Sequence, residues 1–264
     1  MTNKIKSSDL IKMKERGEKI ACLTVYDAGF AKVLDNVGVD VLLVGDSLGM
    51  VLHGESDTLQ VTVDDMVYHT KIAKKGIDRS LLVADMPSNS YSNVKQALKT
   101  AERLVEAGAE VVKLEGGSEV LEIITSIHSR GFLVCGHLGF QPQSIELYGG
   151  YKVQGKNQED AERILNDAKA LEQAGVLMIV LECIPQQLAE KISLAISIPT
   201  IGIGAGIHCD GQVLVLYDLI GVSGYIPRMA CDFLSNNGSI KNAVSEYVRA
   251  VKAREFPTAE QSFN

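Results

Sequence analysis

The feature that most constrains the fold is a regular alternation of short apolar runs with longer helical patterns. Several of the runs are continuously apolar, which is typical of parallel strands covered on both faces. Strands that alternate with helices predict successive βα units and a parallel sheet. The eight predicted strands are Ile20–Val25, Val41–Gly45, Leu81–Asp85, Val111–Glu115, Phe132–Gly136, Leu177–Glu182, Pro199–Gly204 and Val213–Tyr217.

Eight such strands favour an α/β fold of one kind, the closed (β/α)8 or TIM barrel. The 264 residues are close to the roughly 250 that this fold typically needs. On topology alone, a doubly wound open sheet stays as the alternative. No interdomain linker or low-complexity segment interrupts the pattern, so residues 1–264 are predicted to form a single catalytic domain.

Local signals predict how the strands are connected. Thr62 and Asp65 form a capping-box pattern that opens a helix over Val63–Lys75. The stretch from Gly204 to Val213 is too short for a crossover unit of about 10–12 residues, so no helix is expected there. Further helices are predicted over Ser7–Arg16, which would close the lower end of the barrel, and over Asn93–Ala107, Asp160–Ala174, Gln186–Ala195 and Lys241–Arg254; the polar tail Pro257–Asn264 is expected to be poorly ordered.

Charge and composition exclude several classes of function. The formal net charge of −7 argues against a nucleic-acid-binding protein, which would present a basic face. No apolar run approaches the roughly 18 residues that span a bilayer, and the first six residues lack the apolar core of a secretory signal. A cytoplasmic protein is expected. The five cysteines are scattered without CxxC spacing, so neither a zinc site nor a disulfide framework is predicted.

Charged residues accumulate where the predicted strands end. In a barrel, these carboxyl ends form the active-site mouth. A single carboxylate after a strand is usually a helix cap, but caps alone do not account for carboxylates after four strands. Buried charges cost several kcal/mol unless they are paired or coordinated. The residues are Asp46 with Ser47 after the second strand, Asp85 on the third, Lys113 and Glu115 on the fourth, His137 after the fifth and Glu182 on the sixth.

Clustered carboxylates repel one another unless a cation lies among them. Oxygen ligands with places left open for water and substrate suit Mg²⁺. We therefore predict a magnesium site formed by Asp46, Asp85 and Glu115. Whether each carboxylate binds the ion directly or through water stays open.

Three further side chains are candidates for the chemistry. Lys113 lies two residues before Glu115 on the same face of its strand, where its charge would hold an anionic substrate. Glu182 is the remaining carboxylate and is predicted to transfer a proton. A functional role is favoured over a structural one for His137. For Tyr26 and Asp27 at the end of the first strand, site lining and helix capping are equally acceptable.

The glycine-rich segments carry weaker signals. Gly202–Gly206 follows a strand, but it lacks a following helix and an acidic partner, so it is a poor dinucleotide fingerprint. The pairs Gly116-Gly117 and Gly149-Gly150 are expected to let loops approach a ligand closely.

The chain resembles the ketopantoate hydroxymethyltransferase family, within the phosphoenolpyruvate/pyruvate barrel superfamily, over nearly its whole length. The resemblance runs from Leu23-Thr24-Val25-Tyr26-Asp27 to Gln261-Ser262-Phe263, and its combined motifs are far more specific than one short pattern. The densest blocks are Val44–Met50, Lys113–Gly117, Gly136–Gly139, Gly149–Gly155 and Ile201–Gly206.

The resemblance implies an activity and a site. Family members transfer a hydroxymethyl group from 5,10-methylenetetrahydrofolate to 3-methyl-2-oxobutanoate, and they form large homo-oligomers, commonly decamers. It also implies one Mg²⁺ per subunit. The implied residues are Asp46, Asp85 and Glu115 at the metal, Asp46, Ser47, Asp85 and Lys113 at the keto acid with His137 orienting it, and Glu182 as the proton acceptor.

Two departures and two rival interpretations accompany the resemblance. Glu55–Gln60 replaces a segment that usually reads Asp-Ser-Thr-Leu-Pro, and Ser88 stands where the family often has Phe. Lyases and mutases of the phosphoenolpyruvate mutase and isocitrate lyase type are similar in barrel and metal placement, but their cysteine-bearing loop is absent here. A barrel that only senses a 2-oxo acid or a metal is the non-catalytic alternative.

Overall fold

The computed structural model describes residues 3–264 as a closed barrel of eight parallel strands. Each strand pairs with its sequence neighbours, and the first pairs with the last. The predicted α/β barrel is therefore confirmed, and the doubly wound alternative is wrong. The strands are β1 (Ile20–Thr24), β2 (Val41–Val44), β3 (Leu81–Asp85), β4 (Val111–Lys113), β5 (Leu133–Gly139), β6 (Met178–Glu182), β7 (Thr200–Ile203) and β8 (Gly211–Leu214).

Helices surround the barrel and close its lower end. The predicted capping box of Thr62 and Asp65 is present at the start of the helix Val63–Lys74. Pro185 directly precedes the helix that begins at Gln186. The helices are α1 (Ser7–Glu15), α2 (Ala28–Val37), α3 (Leu48–Val51), α4 (Val63–Lys74), α5 (Val94–Glu106), α6 (Leu121–Ser129), α7 (Ile145–Tyr148), α8 (Gln158–Gln173), α9 (Gln186–Ala195), α10 (Leu216–Leu219), α11 (Leu234–Asn237) and α12 (Ile240–Lys252). Among the described residues, no helix links β7 to β8, as predicted.

Three strand bounds differ from the prediction in ways that affect the site. β4 ends at Lys113, so Glu115 lies in the segment after the strand and not on it. β5 continues to Gly139, because its pairing with β6 extends to the partners Gly139 and Glu182. His137 therefore lies within the strand and not after it. β8 ends at Leu214, because Leu216 donates its N–H to Thr24 Oγ1 at 2.9 Å and starts α10.

Alternate residues of each strand separate two apolar cores. Leu23 and Ala21 point to the layer between strands and helices, whereas Ile20 and Cys22 belong to the barrel interior. Strand geometry requires this alternation, since successive side chains point to opposite faces. Toward the carboxyl ends of the strands, the inward positions hold charged residues in place of apolar ones.

Helix α1 closes the amino end of the barrel, as predicted. Leu10 is fully buried among the interior side chains. Lys14 fixes the helix from the side, because its Nζ donates to the carbonyls of Ser193 (2.8 Å) and Ile198 (2.9 Å) and pairs with Asp210 Oδ2 (2.8 Å). Helix α1 thus covers the lower end of the barrel.

The prediction that the tail Pro257–Asn264 is poorly ordered is wrong. Gln186 donates its N–H to the Phe263 carbonyl at 2.9 Å. Arg228 donates to the carbonyls of Glu260 (3.0 Å) and Ser262 (2.9 Å), and its guanidinium lies 4.9 Å from the centre of the Phe263 ring. Backbone hydrogen bonds and a cation–π contact hold this polar segment beside the mouth of the barrel.

Two smaller expectations also have an outcome. The five cysteines are free thiols, and all but Cys231 are buried. Within residues 3–264, none of the helices combines the length and the apolar character that crossing a bilayer requires.

The burial of Leu10 at the closed end of the barrel leads to a stability prediction. Leu10→Ala should lower the free energy of unfolding by about 3 kcal/mol, because a fully buried leucine leaves a cavity. Urea unfolding at fixed protein concentration measures the change. Lys12→Ala on the exposed face of α1 is the control and should change stability by less than about 0.5 kcal/mol. Equal losses of unfolding free energy in both variants would refute the stabilising role of Leu10.

Candidate active site

All seven predicted site residues line one cavity at the carboxyl ends of the strands. The cavity has a volume of about 770 Å³. Six of the seven residues are buried, and Ser47 is half-buried. The lining includes Asp46, Ser47, Asp85, Lys113, Glu115, His137 and Glu182. The predicted meeting of these side chains at one mouth is therefore observed, while their roles stay predictions.

The register of neighbouring strands creates an ion pair in the barrel interior. Asp85 of β3 and Lys113 of β4 are register partners, and Lys113 Nζ lies 2.5 Å from Asp85 Oδ1. Burial opposes the charge of Lys113, but the carboxylates of Asp85 and Glu115 outweigh burial and raise the pKa of the lysine. Lys113 is thus a fixed cation at the centre of the site.

A tight turn after β2 brings Asp46 against Asp85. The Asp46 N–H donates to Asp85 Oδ2 at 3.0 Å. Gly45 makes this approach possible, because a Cβ there would lie only 2.8 Å from Ser47 Oγ. Burial and the neighbouring charges of Asp85 and Glu115 raise the pKa of Asp46 well above its usual range. This carboxyl group therefore calls for a proton or another cation.

His137 lies between two carboxylates on the far side of the site. Its Nδ1 is 3.3 Å from Glu115 Oε1, and its Nε2 is 3.3 Å from Glu182 Oε2. The contacts are electrostatic, because the buried atoms Glu115 Oε1, His137 Nδ1 and His137 Nε2 have no hydrogen-bond partner among the described residues. Burial lowers the pKa of His137, but Glu115 outweighs it and raises this pKa to about 9. At neutral pH the ring is an imidazolium.

The buried charges at the mouth do not balance. The four carboxyl groups of Asp46, Asp85, Glu115 and Glu182 face one ammonium and one imidazolium, so negative charges outnumber positive ones even when Asp46, whose pKa is raised, carries a proton. In residues 3–264, no group of three or more His, Cys, Asp or Glu side chains is arranged so that it could hold a metal ion without rearrangement. The unpartnered Glu115 oxygen and the excess negative charge nevertheless suit a hard cation that prefers oxygen ligands.

Tyr26 and Asp27, for which site lining and helix capping were both acceptable, have different roles in the structure. Asp27 caps helix α2 by accepting the Phe30 N–H at 2.9 Å. Tyr26 is buried, and its hydroxyl forms a 2.9 Å hydrogen bond with Ser47 Oγ. Tyr26 therefore orients a residue that lines the cavity, whereas Asp27 is structural.

Two residues of the site were missed in the sequence. Gln143, after β5, donates its Nε2 to Asp46 Oδ2 at 2.7 Å and its backbone N–H to Glu115 Oε2 at 3.1 Å. Tyr91, after β3, donates its hydroxyl to Gln143 Oε1 at 2.6 Å. The available signal was a polar residue shortly after a strand, which is too common in loops to single either residue out.

The backbone of Glu182 leaves no room for a side chain on the neighbouring residue Gly139. Gly139 has a φ of +95°, and a Cβ there would overlap the Glu182 carbonyl oxygen. Cys183, which follows Glu182, has a φ of +48° although it is not a glycine. Such strained backbone is typical of functional positions. By contrast, a Cβ on Gly117 would overlap the Asp167 carboxylate, so the close approach expected of Gly117 is made to helix α8 and not to a ligand.

Apolar and cationic side chains form the outer part of the cavity. Tyr151 is 56% exposed, Val222 60% and Tyr225 75%, and all three line the cavity. Arg228 and the tail residue Phe263 line it on the same side. The segment that departs from the family pattern also borders the cavity, through Glu55 and Thr58.

Solved structures of two enzymes illustrate the same barrel. A phosphonomutase from Burkholderia cenocepacia, described as putative, aligns with a TM-score of 0.66 and 14% identity over 83% of this chain and 96% of its own. The phosphoenolpyruvate phosphomutase of Streptomyces platensis aligns with a TM-score of 0.63 and 12% identity over 82% of this chain and 83% of its own. At such low identity, the likeness shows the fold alone.

Sequence relatives give the family. The chain is 52% identical to the 3-methyl-2-oxobutanoate hydroxymethyltransferases of Shewanella loihica and Shewanella oneidensis, over 99% of this chain and 100% of theirs. The family model described as ketopantoate hydroxymethyltransferase matches residues 4–259. With this match and the charged mouth described above, the chain belongs to the ketopantoate hydroxymethyltransferase family.

Proposed function

We propose that this protein transfers a hydroxymethyl group from 5,10-methylenetetrahydrofolate to 3-methyl-2-oxobutanoate, which gives 2-dehydropantoate. The acceptor is the substrate in the names of its relatives. The observation that carries the proposal is the excess of buried carboxylates around Lys113 in one cavity. Such a site is costly to maintain without a cation, which disfavours a purely structural barrel.

Asp46, Asp85 and Glu115 would hold Mg²⁺ in this site. All three are buried, they line the same cavity, and Glu115 Oε1 has no hydrogen-bond partner among the described residues. A phosphonopyruvate hydrolase with the same fold has been solved with oxalate and Mg²⁺. Bound Mg²⁺ would supply Lewis acidity, which makes the C–H beside a 2-oxo group easier to deprotonate.

Lys113 and Ser47 would bind the keto acid. An ammonium group has three donor hydrogens, so the 2.5 Å pair with Asp85 leaves Lys113 able to bind a substrate carboxylate. Ser47 Oγ is positioned by the buried Tyr26 hydroxyl at 2.9 Å. Both groups face the cavity, so the carboxylate would be fixed before the chemical step.

Glu182 would accept the proton from C3 of the keto acid. It is the carboxylate with no place in the proposed metal site, and it lines the same cavity. The imidazolium of His137, 3.3 Å away, would orient the substrate and balance the charge of Glu182. The enolate formed at C3 would then bond to the methylene carbon of the folate, and both C–N bonds of that carbon would break. Water would supply the hydroxyl group, and tetrahydrofolate would leave with the proton taken from C3 and one proton from water on its two nitrogens.

The outer cavity would bind the folate. About 770 Å³ is far more space than a small keto acid fills and lies within the usual range for drug-sized ligands. Exposed aromatic rings such as Tyr151 and Tyr225 suit stacking against a flat pteridine. Arg228 would attract the negative charge of the folate tail.

The single domain would act as part of a homo-oligomer in the cytoplasm, and a decamer is the expected assembly. Leu194 on α9 is 83% exposed, and a large apolar side chain in that position suits a contact between subunits. The free thiols suit a reducing compartment.

Removal of the cation should stop the chemistry without unfolding the protein. Exhaustive chelation is expected to abolish both turnover and deuterium exchange at C3 of the keto acid, because the C–H would lose its activation. NMR of the keto acid in D₂O measures the exchange, and restored Mg²⁺ should restore it. Full activity in the presence of chelator would refute the metal site.

Substitution of the proposed base should separate binding from catalysis. Glu182→Gln is expected to slow C3 exchange by about 10²–10⁴-fold, while calorimetry should still detect keto-acid binding. Glu190→Gln, an exposed residue of α9, is the control and should behave like the unsubstituted protein. Wild-type exchange in Glu182→Gln would exclude Glu182 as the base, and keto-acid binding without any turnover by the unsubstituted protein would favour a sensor.

The proposed binding of folate in the outer cavity can be tested separately. Tyr225→Ala should raise KM for 5,10-methylenetetrahydrofolate about tenfold, because stacking of a flat ring is worth about 0.5–1.5 kcal/mol beyond area burial. KM for the keto acid should not change. Tyr225→Phe keeps the ring and should keep the wild-type KM for folate. An unchanged KM for folate in Tyr225→Ala would show that Tyr225 does not contact the folate.

A further inference from the structure

Gln143 links two carboxylates that come from different strands. It lies in the short 3-10 turn Pro142–Ser144 after β5. Its Nε2 donates to Asp46 Oδ2 at 2.7 Å and to the Met86 carbonyl at 3.0 Å. Its backbone N–H donates to Glu115 Oε2 at 3.1 Å. One residue thus fixes the position of Asp46 relative to Glu115.

Tyr91 fixes the orientation of the Gln143 amide. The Tyr91 hydroxyl donates to Gln143 Oε1 at 2.6 Å and accepts the Glu115 N–H at 3.4 Å. The phenol is the donor in the bond to Gln143, because an amide oxygen can only accept. With Oε1 occupied in this way, the amide can present only its NH₂ group to Asp46.

Each carboxylate keeps one oxygen that Gln143 does not use. Within the described part of the chain, Glu115 Oε1 has no hydrogen-bond partner, although it lies 3.3 Å from His137 Nδ1, and the Gln143 bond to Asp46 uses Oδ2 alone. An amide donates without adding a positive charge, so it orients the carboxylates without competing electrostatically with a cation. A lysine or arginine in its place would neutralise the site.

We propose that Gln143 is a positioning residue of the cation site, which holds one oxygen each of Asp46 and Glu115 and leaves the other for the metal ion. Tyr91 acts through Gln143 in the same role. This inference rests on the proposed Mg²⁺ site and adds to it the residues that set its affinity. Outer partners that orient metal ligands typically change metal affinity by about 10–100-fold when they are removed.

The test is calorimetric titration of the full-length protein with Mg²⁺. Gln143→Ala should weaken Mg²⁺ binding by about 10–100-fold, and Tyr91→Phe should weaken it by a smaller factor. The double variant should bind no more weakly than Gln143→Ala, because both residues act through one contact. At saturating Mg²⁺, Gln143→Ala should regain most of its kcat, since Gln143 touches neither reacting carbon nor proton. Gln141→Ala, two residues earlier in the same turn, should bind Mg²⁺ like the unsubstituted protein.

The outcomes separate the two claims. Wild-type Mg²⁺ affinity in Gln143→Ala, in a protein that otherwise binds Mg²⁺, would refute the role of Gln143 and leave the metal site in place. Absence of Mg²⁺ binding by the unsubstituted protein would refute the metal site and this role with it. If Gln143→Ala does not fold by circular dichroism, Tyr91→Phe decides, because it removes one hydroxyl and keeps the ring: unchanged Mg²⁺ affinity would then overturn the inference.

Discussion

The mouth of this barrel is organised around an excess of buried negative charge. Asp46, Asp85, Glu115 and Glu182 are all buried there, against the single ammonium of Lys113 and the imidazolium of His137. Charges in such surroundings are tolerated only with partners, and the strand register supplies them, as in the pairing of Asp85 with Lys113. The remaining imbalance is what makes a cation the natural further component of the site.

The same structural rule produces the stable part of the barrel and its reactive part. Inward positions of each strand are apolar near the amino end, where Leu10 of α1 completes the packing. In β3 and β4, Val83 and Val111 point to the barrel interior. Two residues further along, the same inward positions are occupied by Asp85 and Lys113. Stability therefore comes from the lower layers and the surrounding helices, which leaves the top layer free to hold charges that no core would otherwise accept.

The sequence allows prediction of the strands and the charged residues at their ends, because both depend on local pattern. Asp85 and Glu182 are found at strand ends from the chain alone, and the barrel then brings them together. Gln143 could not be found in this way, since its partner Asp46 lies 97 residues away and a neutral amide has no distinctive pattern. The tail around Phe263 was missed for a related reason: its order comes from hydrogen bonds to Gln186 of α9 and to the distant Arg228 side chain, not from apolar periodicity.

Charge also explains why substrate and cation would depend on each other. A bound 2-oxo acid would bring one more negative charge to a mouth that already has too many, and Lys113 would have to share its ammonium between Asp85 and the incoming carboxylate. A cation among Asp46, Asp85 and Glu115 would relieve both problems, because it would reduce the repulsion and weaken the attraction between Asp85 and Lys113. Related barrels share the scaffold at 12–15% identity, so the chemistry that distinguishes this chain lies in the mouth residues and in the loops that orient them.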